Sequence, residues 1–214
     1  MHKSPPRRWT ASVCALALAT AALHAQANEA ALYAPVAPKG SAFVRAYNAG
    51  NSEVNVSVGN TDLNDIAPLA SSDFRFLPAG SYSAHVGGAT LSVQLDADSY
   101  YTLVNQAGEQ PQLVEEAPFD NKRKAMLRVQ NLSDSKLSLK TADGKAVVVD
   151  EVAPDGHGER EVNPVKVSLA LYQGDKKIST LKPVALSRGE LVCLYVTGNG
   201  NELSPVWVTR PASD

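Results

Sequence analysis

The hexapeptide FVRAYN at residues 43–48 is repeated in degenerate form as MLRVQN at residues 126–131, and this repeat decides the predicted fold. Both copies read apolar, apolar, Arg, any, any, Asn, and a small polar turn follows each copy, at 49–52 and at 132–135. Similarity at a fixed offset along a chain indicates a duplicated structural unit. We therefore predict two copies of one domain.

The segments that follow the two turns alternate between apolar and polar residues, as VNVSV at 54–58 and LSLK at 137–140. An alternation of period two is typical of half-buried antiparallel strands. The other apolar runs are short, rich in Val, Thr and Tyr, and bounded by Gly, Pro, Asn or Asp, which favours strands over helices. About seven short strands per copy fit an immunoglobulin-like or fibronectin-like sandwich. The sequence thus predicts an all-β fold of two tandem antiparallel β-sandwich domains.

The region between the copies has the composition of a linker, with Pro111, Pro118 and the basic run at 122–124. Its apolar residues Leu113, Val114 and Phe119 suggest that it packs along a domain face. The predicted division is a signal peptide at 1–27, an extended leader at 28–41, the first domain at 42–105, a linker at 106–124, the second domain at 125–210 and a tail at 211–214.

The N-terminus has the pattern of a secretory signal, with basic residues ahead of an apolar run at 9–23 and the sequence AQA at 25–27. We expect cleavage after Ala27 and export to the periplasm. Two other signals are open, a twin-arginine signal at Arg7-Arg8 and lipidation of Cys14. Each lacks the remainder of its motif.

Net charge argues against nucleic acid as a partner, and the lengths of the apolar runs argue against a membrane-spanning mature chain. Cleavage after Ala27 removes three of the 20 Lys and Arg residues and none of the 22 Asp and Glu residues, which leaves a net charge of −5. Nucleic-acid binding requires a clustered basic face, so nucleic acid is not expected as a ligand. No later apolar run approaches the roughly 20 residues that span a bilayer, so the mature chain is not expected to cross a membrane.

Residues that could carry chemistry are few. His85 and His157 have no metal-ligand spacing to a Cys or another His, so we expect no metal and no cofactor. The serines lie in turns, without a nucleophile elbow or a Ser, His and Asp arrangement. Cys193 lies in a strand that is apolar on both faces, where burial would raise the pKa of its thiol. The sequence therefore predicts no catalytic residue.

Polar residues inside the repeated strands have two interpretations. Arg45 and Arg128 could face an acidic ligand, but the period-two pattern points both outward, opposite Val44 and Leu127. Asparagines at the ends of these strands, Asn48 and Asn131, are expected to hydrogen-bond their own turns. The acidic pair Glu115-Glu116 is expected to be a solvated part of the linker.

The repeated segments and several further motifs resemble the AlgF family of periplasmic alginate O-acetylation proteins. The resemblance rests on LYAP at 32–35, APKGSAFVR at 37–45, SDF at 72–74, YYTLVNQ at 100–106, PQLVEE at 111–116, RVQNLS at 128–133, LKTADG at 139–144, NPVKV at 163–167 and VCLYVTG at 192–198. It covers essentially the whole chain after the signal. It implies a role in acetylating mannuronate residues of alginate, beside periplasmic acetyltransferases and a membrane-bound acetyltransferase that carry the chemistry.

The leading hypothesis is a non-catalytic adaptor that binds those acetyltransferases. Candidate contact residues are Leu113, Val114, Phe119 and Trp207, together with Arg45 and Arg128. Two alternatives are open, an acetyl carrier or esterase that uses Cys193 or a serine, and a module that binds alginate itself.

Overall fold

The computed structural model describes residues 36–116, 119–200 and 202–210, and every regular element in them is a β-strand. This confirms the prediction of an all-β chain. The first repeat comprises β1 (Ser41–Asn48), β2 (Val54–Val58), β3 (Thr61–Ile66), β4 (Arg75–Pro78), β5 (Gly80–Val86), β6 (Ala89–Leu95), β7 (Tyr100–Asn105) and β8 (Gln112–Glu116).

The second repeat contains ten strands. They are β9 (Ala125–Asn131), β10 (Leu137–Thr141), β11 (Val147–Val152), β12 (His157–Val162), β13 (Val165–Val167), β14 (Leu169–Gln173), β15 (Lys176–Thr180), β16 (Val184–Leu186), β17 (Leu191–Thr197) and β18 (Ser204–Arg210). His157 begins β12.

Each repeat folds as a sandwich of two four-stranded sheets. In the first domain the sheet β4-β1-β7-β8 faces the sheet β3-β2-β5-β6, and in the second domain β12-β9-β17-β18 faces β11-β10-β14-β15, with a small β13-β16 ribbon beside them. Alternate apolar side chains from both facing sheets form one core per domain, for example Val44 with Val56 in the first and Leu127 with Leu139 in the second. The two sheet orders match strand for strand, which supports the duplication.

One strand pair in each domain differs from the predicted antiparallel arrangement. Strand β1 pairs with β7 in parallel, and β9 pairs with β17 in parallel, while the other pairs are antiparallel. The alternation of apolar residues reports which face of a strand is buried and does not report the direction of its neighbour, so the pattern did not distinguish the two cases.

The central strands β1, β7, β9 and β17 are buried on both faces. In β9, for example, Leu127 and Val129 enter the domain core while Met126 enters a separate apolar cluster. That third cluster draws on both domains, because the outer face of the β1-β7 sheet packs against the outer face of the β9-β17 sheet. The described residues from Lys39 onward accordingly form one compact unit.

The predicted linker contains a strand. Residues Gln112–Glu116 form β8, which pairs with β7 and completes the first sandwich, so Leu113 and Val114 belong to a sheet, whereas Phe119 follows it. The predicted signal peptide, most of the leader and the tail lie outside the described residues. In the described part of the chain, no helix has the length and apolar character needed to cross a membrane.

Candidate functional site at the domain junction

An apolar cluster joins the two sandwiches. Its residues are buried on the outer faces of the two facing sheets: Tyr47, Val104 and Val114 from the first domain, and Met126, Leu132, Leu191, Cys193, Tyr195 and Val208 from the second. The rings of Tyr47 and Tyr195 meet across the junction with their centroids 5.0 Å apart. Burial raises the pKa of Tyr47 to about 12 and holds that of Tyr195 well above its ordinary value. Both phenols are therefore neutral at physiological pH.

Arg45 lies in the middle of this junction and is only 1% exposed. Its Nη2 donates to Glu116 Oε1 at 2.5 Å, its Nε donates to Thr102 Oγ1 at 3.0 Å, and its Nη1 crosses to the carbonyl of Thr209 in the second domain at 2.9 Å. Its guanidinium also lies over the ring of Phe74, 4.6 Å from the centroid. A buried charge is tolerated when it is paired and its donors are satisfied, and this one is.

Arg128 makes the reciprocal link. Its Nη2 donates to the carbonyl of Glu115 in the first domain at 3.1 Å. Glu115 and Thr209 occupy equivalent positions on β8 and β18, opposite Tyr101 and Val192. The two repeated arginines thus exchange one hydrogen bond each across a pseudo-twofold junction, as expected where like surfaces meet.

The positions of the two arginines correct the sequence-based expectation. Both side chains do point away from Val44 and Leu127, as the alternation predicted, but neither reaches solvent, because the other domain covers that face of each sheet. Glu116 is likewise 1% exposed, so the expectation of a solvated acidic pair is wrong for Glu116 and correct for Glu115. Sequence alone does not reveal that the outer faces of two sandwiches pack together.

Cys193 lies at the centre of the same junction and has no exposed surface. Burial, and then the nearby Glu116 carboxylate, raise the pKa of its thiol to about 12. The prediction of a buried thiol with a raised pKa is confirmed. At neutral pH the thiol is protonated and out of reach of a solvent-borne donor, and a thiol in that state is a poor nucleophile.

The other predicted contact residues divide between the junction and its surroundings. Val114 is buried in the junction cluster and Phe119 packs against it half-buried. Leu113 packs against the first core, and Trp207 packs against the second core with its Nε1 donating to the carbonyl of Lys182 at 3.1 Å. Their contact with a partner stays a prediction.

The two repeated asparagines end their strands in the same way. Asn48 Nδ2 donates to the carbonyls of Ser52 and Ile66, both at 2.8 Å. Asn131 Nδ2 donates to the carbonyls of Ser135 at 2.7 Å and Val152 at 3.0 Å. The expected bond to the local turn is present in both copies, and the second bond ties each turn to the end of the neighbouring strand β3 or β11.

The histidines do not join a metal site in the described part of the chain. His85 is exposed on β5 with Nδ1 3.1 Å from Thr90 Oγ1. No group of three or more His, Cys, Asp or Glu side chains that could hold a metal occurs among the described residues.

A cleft opens where β8 of the first domain approaches β9 and the loop before β12 in the second. Its volume is about 420 Å³, and it is lined by Gln112, Leu113, Val114, Glu115, Arg128, Gln130, Asp155 and His157. It brings together Leu113, Val114 and Arg128, three of the residues that the sequence singled out. Gln130 and His157 were missed as members of a shared site, because only the packing of the two domains places them opposite β8.

Comparisons with known proteins address the family. A model described as "Alginate O-acetyl transferase AlgF" matches residues 15–193. A protein of Pseudomonas aeruginosa named "Alginate biosynthesis protein AlgF" is 69% identical over 203 residues, which are 95% of this chain and 94% of that protein. A protein of the same name from Azotobacter vinelandii is 60% identical and covers 88% of this chain and 87% of its own length.

Two solved structures are also similar. The C-terminal domain of AlgF from P. aeruginosa is 68% identical, covers 42% of this chain and all of its own, and has a TM-score of 0.39. The N-terminal domain is 72% identical, covers 38% of this chain and all of its own, and has a TM-score of 0.35. The family match over most of the chain, with relatives of this identity and coverage, establishes that the chain belongs to the AlgF family.

Proposed function

We propose that this chain is a non-catalytic periplasmic adaptor required for the O-acetylation of mannuronate residues in alginate, and that it binds periplasmic acetyltransferases and a membrane-bound acetyltransferase. Membership of the AlgF family supports the pathway, since the relatives are named for alginate biosynthesis and the family for alginate O-acetyl transfer. Those names do not say which chain of the pathway carries the acetyl group. That question turns on the residues of this chain.

The observation that carries the proposal is the position of Cys193. An acetyl carrier needs a nucleophile that an acetyl donor can reach and that loses its proton near neutral pH. Cys193 has no exposed surface, and its thiol has a pKa of about 12. It packs as an apolar side chain between two domains, which supports a structural role for the cysteine and a binding role for the chain.

The joined domains also suit an adaptor. The junction cluster and the two arginine links hold the sandwiches as one body, so a surface made from both can be presented in a fixed geometry. Preorganisation of this kind lowers the entropic cost of binding. The outer strands of the sheets, such as β6 and β15, are the positions where a partner strand can be added.

A complementation experiment tests the proposal. In a P. aeruginosa strain that lacks its own AlgF, we expect alginate without acetyl groups, and we expect this chain to restore acetylation. The Cys193→Ala variant should restore it equally, because an adaptor does not need the thiol. Loss of acetylation with a folded, exported Cys193→Ala chain would instead identify an acetyl carrier.

A second measurement examines the purified chain directly. After incubation with an acetyl donor, its intact mass should be unchanged, whereas a carrier would gain one acetyl group. Pull-down of the acetyltransferases should weaken when Phe119 or Trp207 is replaced by Ala. The matched control is His85→Ala on an exposed strand. Unchanged pull-down and normal acetylation would remove Phe119 and Trp207 from the binding surface.

A further inference from the structure

The cleft at the domain junction has an arginine without enough partners. Arg128 lines the cleft and is 3% exposed, and the only hydrogen bond of its side chain to a described residue runs from Nη2 to the Glu115 carbonyl. Its buried Nε and Nη1 have no hydrogen-bond partner among the described residues. The Glu159 carboxylate approaches Nη1 only to 3.9 Å, beyond hydrogen-bond distance. Buried guanidinium donors are usually satisfied, so two open ones indicate an absent acceptor.

The pseudo-twofold junction shows why these donors are open. Thr102, which accepts from Arg45, has Cys193 as its counterpart beside Arg128. Glu116, which pairs with Arg45, has Arg210 as its counterpart, opposite Leu191 on the neighbouring strand. A thiol is a weak acceptor and an arginine has none. The residues that complete the first arginine therefore have no equivalent at the second.

The open donors define the chemistry of the ligand. A buried guanidinium with open Nε and Nη1 donors requires an anionic acceptor, and in a polypeptide the group that pairs most strongly with a guanidinium is a carboxylate. Gln130, also on the cleft wall, has a buried Oε1 without a partner among the described residues, and it requires a donor. An acidic side chain together with its own peptide N–H would supply both groups.

The charges around the cleft decide between a polypeptide and a polyuronate. Among the described residues that line the cleft, Arg128 is the one arginine or lysine and His157 the one histidine, whereas Glu115 and Asp155 on the wall, with Glu159 beside it, are exposed acids. A polymer with a carboxylate on every sugar would place further negative charges against these acids, which is unfavourable. A peptide that carries one acidic residue between basic residues would complement both the arginine and the acidic rim.

We infer that this cleft binds an acidic side chain, flanked by basic residues, of a partner polypeptide, with Arg128 as the receiving group. The inference rests on the proposed adaptor function and assigns that function a site. Glu159 is the internal competitor for Arg128, and its partial exposure lets it turn to solvent when the partner carboxylate enters.

A titration of the full chain followed by nitrogen NMR tests the site itself. The probe is the blocked tripeptide Lys-Glu-Lys, and the readout is the Arg128 Nε–H signal, assigned by its loss in Arg128→Gln. We expect that signal to shift with Lys-Glu-Lys and to remain in place with Lys-Gln-Lys. A shift with mannuronate oligomers and none with the peptide would overturn the inference in favour of the polymer, and no shift with either would overturn it outright.

Pull-down of the acetyltransferases separates this inference from the proposed function. Arg128→Gln should weaken capture about tenfold or more, the scale of one charge-assisted bond lost, while Glu159→Gln should strengthen it. Arg188→Gln, an exposed site with the same change of charge, should capture as the wild type does. Equal capture by wild type and a folded Arg128→Gln chain would refute the cleft and leave the adaptor in place. Absence of capture by the wild type would refute the adaptor, while the tripeptide titration would still decide the cleft.

Discussion

Arg45 and Arg128 occupy the same position in the two repeats, yet their surroundings differ. Each crosses the junction to the carbonyl at the equivalent position of the other domain. Arg45 is further held by Thr102, by Glu116 and by the face of Phe74. The backbone frame is therefore shared, while the side chains around each arginine are not.

The difference teaches which residues turn a repeated arginine into a structural link. Around Arg128 the corresponding positions hold Cys193, Arg210 and Glu159. Arg128 Nε and Nη1 have no hydrogen-bond partner among the described residues, and the Glu159 carboxylate stays 3.9 Å from Nη1. The donors of Arg45 are used within the fold, whereas Arg128 has two donors that are open to a ligand. Substitutions around Arg45 and around Arg128 should therefore change the free energy of unfolding by different amounts.

The largest effect is expected for Glu116→Ala. Removing this carboxylate leaves the buried Arg45 guanidinium without its charge partner, and breaking a buried pair costs about 3–5 kcal/mol. The measurement is the free energy of unfolding from denaturant titration. Glu115→Ala is the matched control, because it removes an exposed carboxylate one residue away and should change stability by less than about 0.5 kcal/mol. Equal losses for the two variants would contradict the assignment of Glu116 as the structural anchor.

The next largest loss of stability is expected at Thr102 on β7, and Cys193 at the equivalent position on β17 provides the comparison. Thr102 accepts from Arg45 Nε and donates to Glu116 Oε1 at 2.6 Å, so Thr102→Val removes both bonds at constant volume. We expect a loss of about 2 kcal/mol, since buried polar groups remain unsatisfied. Cys193→Val changes one apolar side chain for another and should cost under about 1 kcal/mol. If the two costs were alike, Thr102 would not be holding Arg45.

The sequence predicted the repeat, the all-β class and the buried thiol because these depend on local patterns. Alternation in VNVSV and in LSLK reports one buried face, and the apolar run LVCLYV reports two. The expectation that Asn48 and Asn131 bond their own turns held for the same reason, since an Asn reaches its local backbone whatever the rest of the chain does.

The junction could not be predicted, because it depends on packing between distant segments. Nothing within FVRAYN distinguishes an arginine that faces water from one that faces a second domain 164 residues away in sequence, where Thr209 accepts its bond. The sequence predicted a solvated Glu116 for the same reason. Of the acidic pair, only Glu115 is exposed. The parallel pairing of β1 with β7 also depends on chain topology, which alternation does not report.

A smaller effect is expected from Cys193 on the stability of the chain at alkaline pH. Its thiol has an ordinary pKa of 9.0 and a pKa of about 12 in the folded chain, so the folded state retains a proton that the unfolded state loses. The contribution of this thiol to the free energy of unfolding is therefore fully present below about pH 9 and is lost as the pH rises toward 12. Between pH 8 and pH 10 the wild type should lose about 1 kcal/mol more than Cys193→Val, in denaturant titrations at each pH. Parallel losses in the two chains would mean that the thiol is accessible and titrates normally.

The smallest effect is expected where Arg128 is replaced. Arg128→Met removes one cross-domain bond, but it also removes two unsatisfied buried donors, and the exposed Glu159 remains solvated after the change. Exchange of a poorly satisfied buried ion for an apolar side chain is often neutral, so the free energy of unfolding should change by less than about 1 kcal/mol. Arg45→Met should cost about 3–5 kcal/mol in the same assay, because the buried Glu116 carboxylate then loses the guanidinium that pairs with it. Were both variants to lose several kcal/mol, Arg128 would be a second structural anchor and its open donors would not be available to a ligand. A near-neutral Arg128→Met chain is also the reagent that the binding experiment needs, since it separates loss of capture from loss of fold.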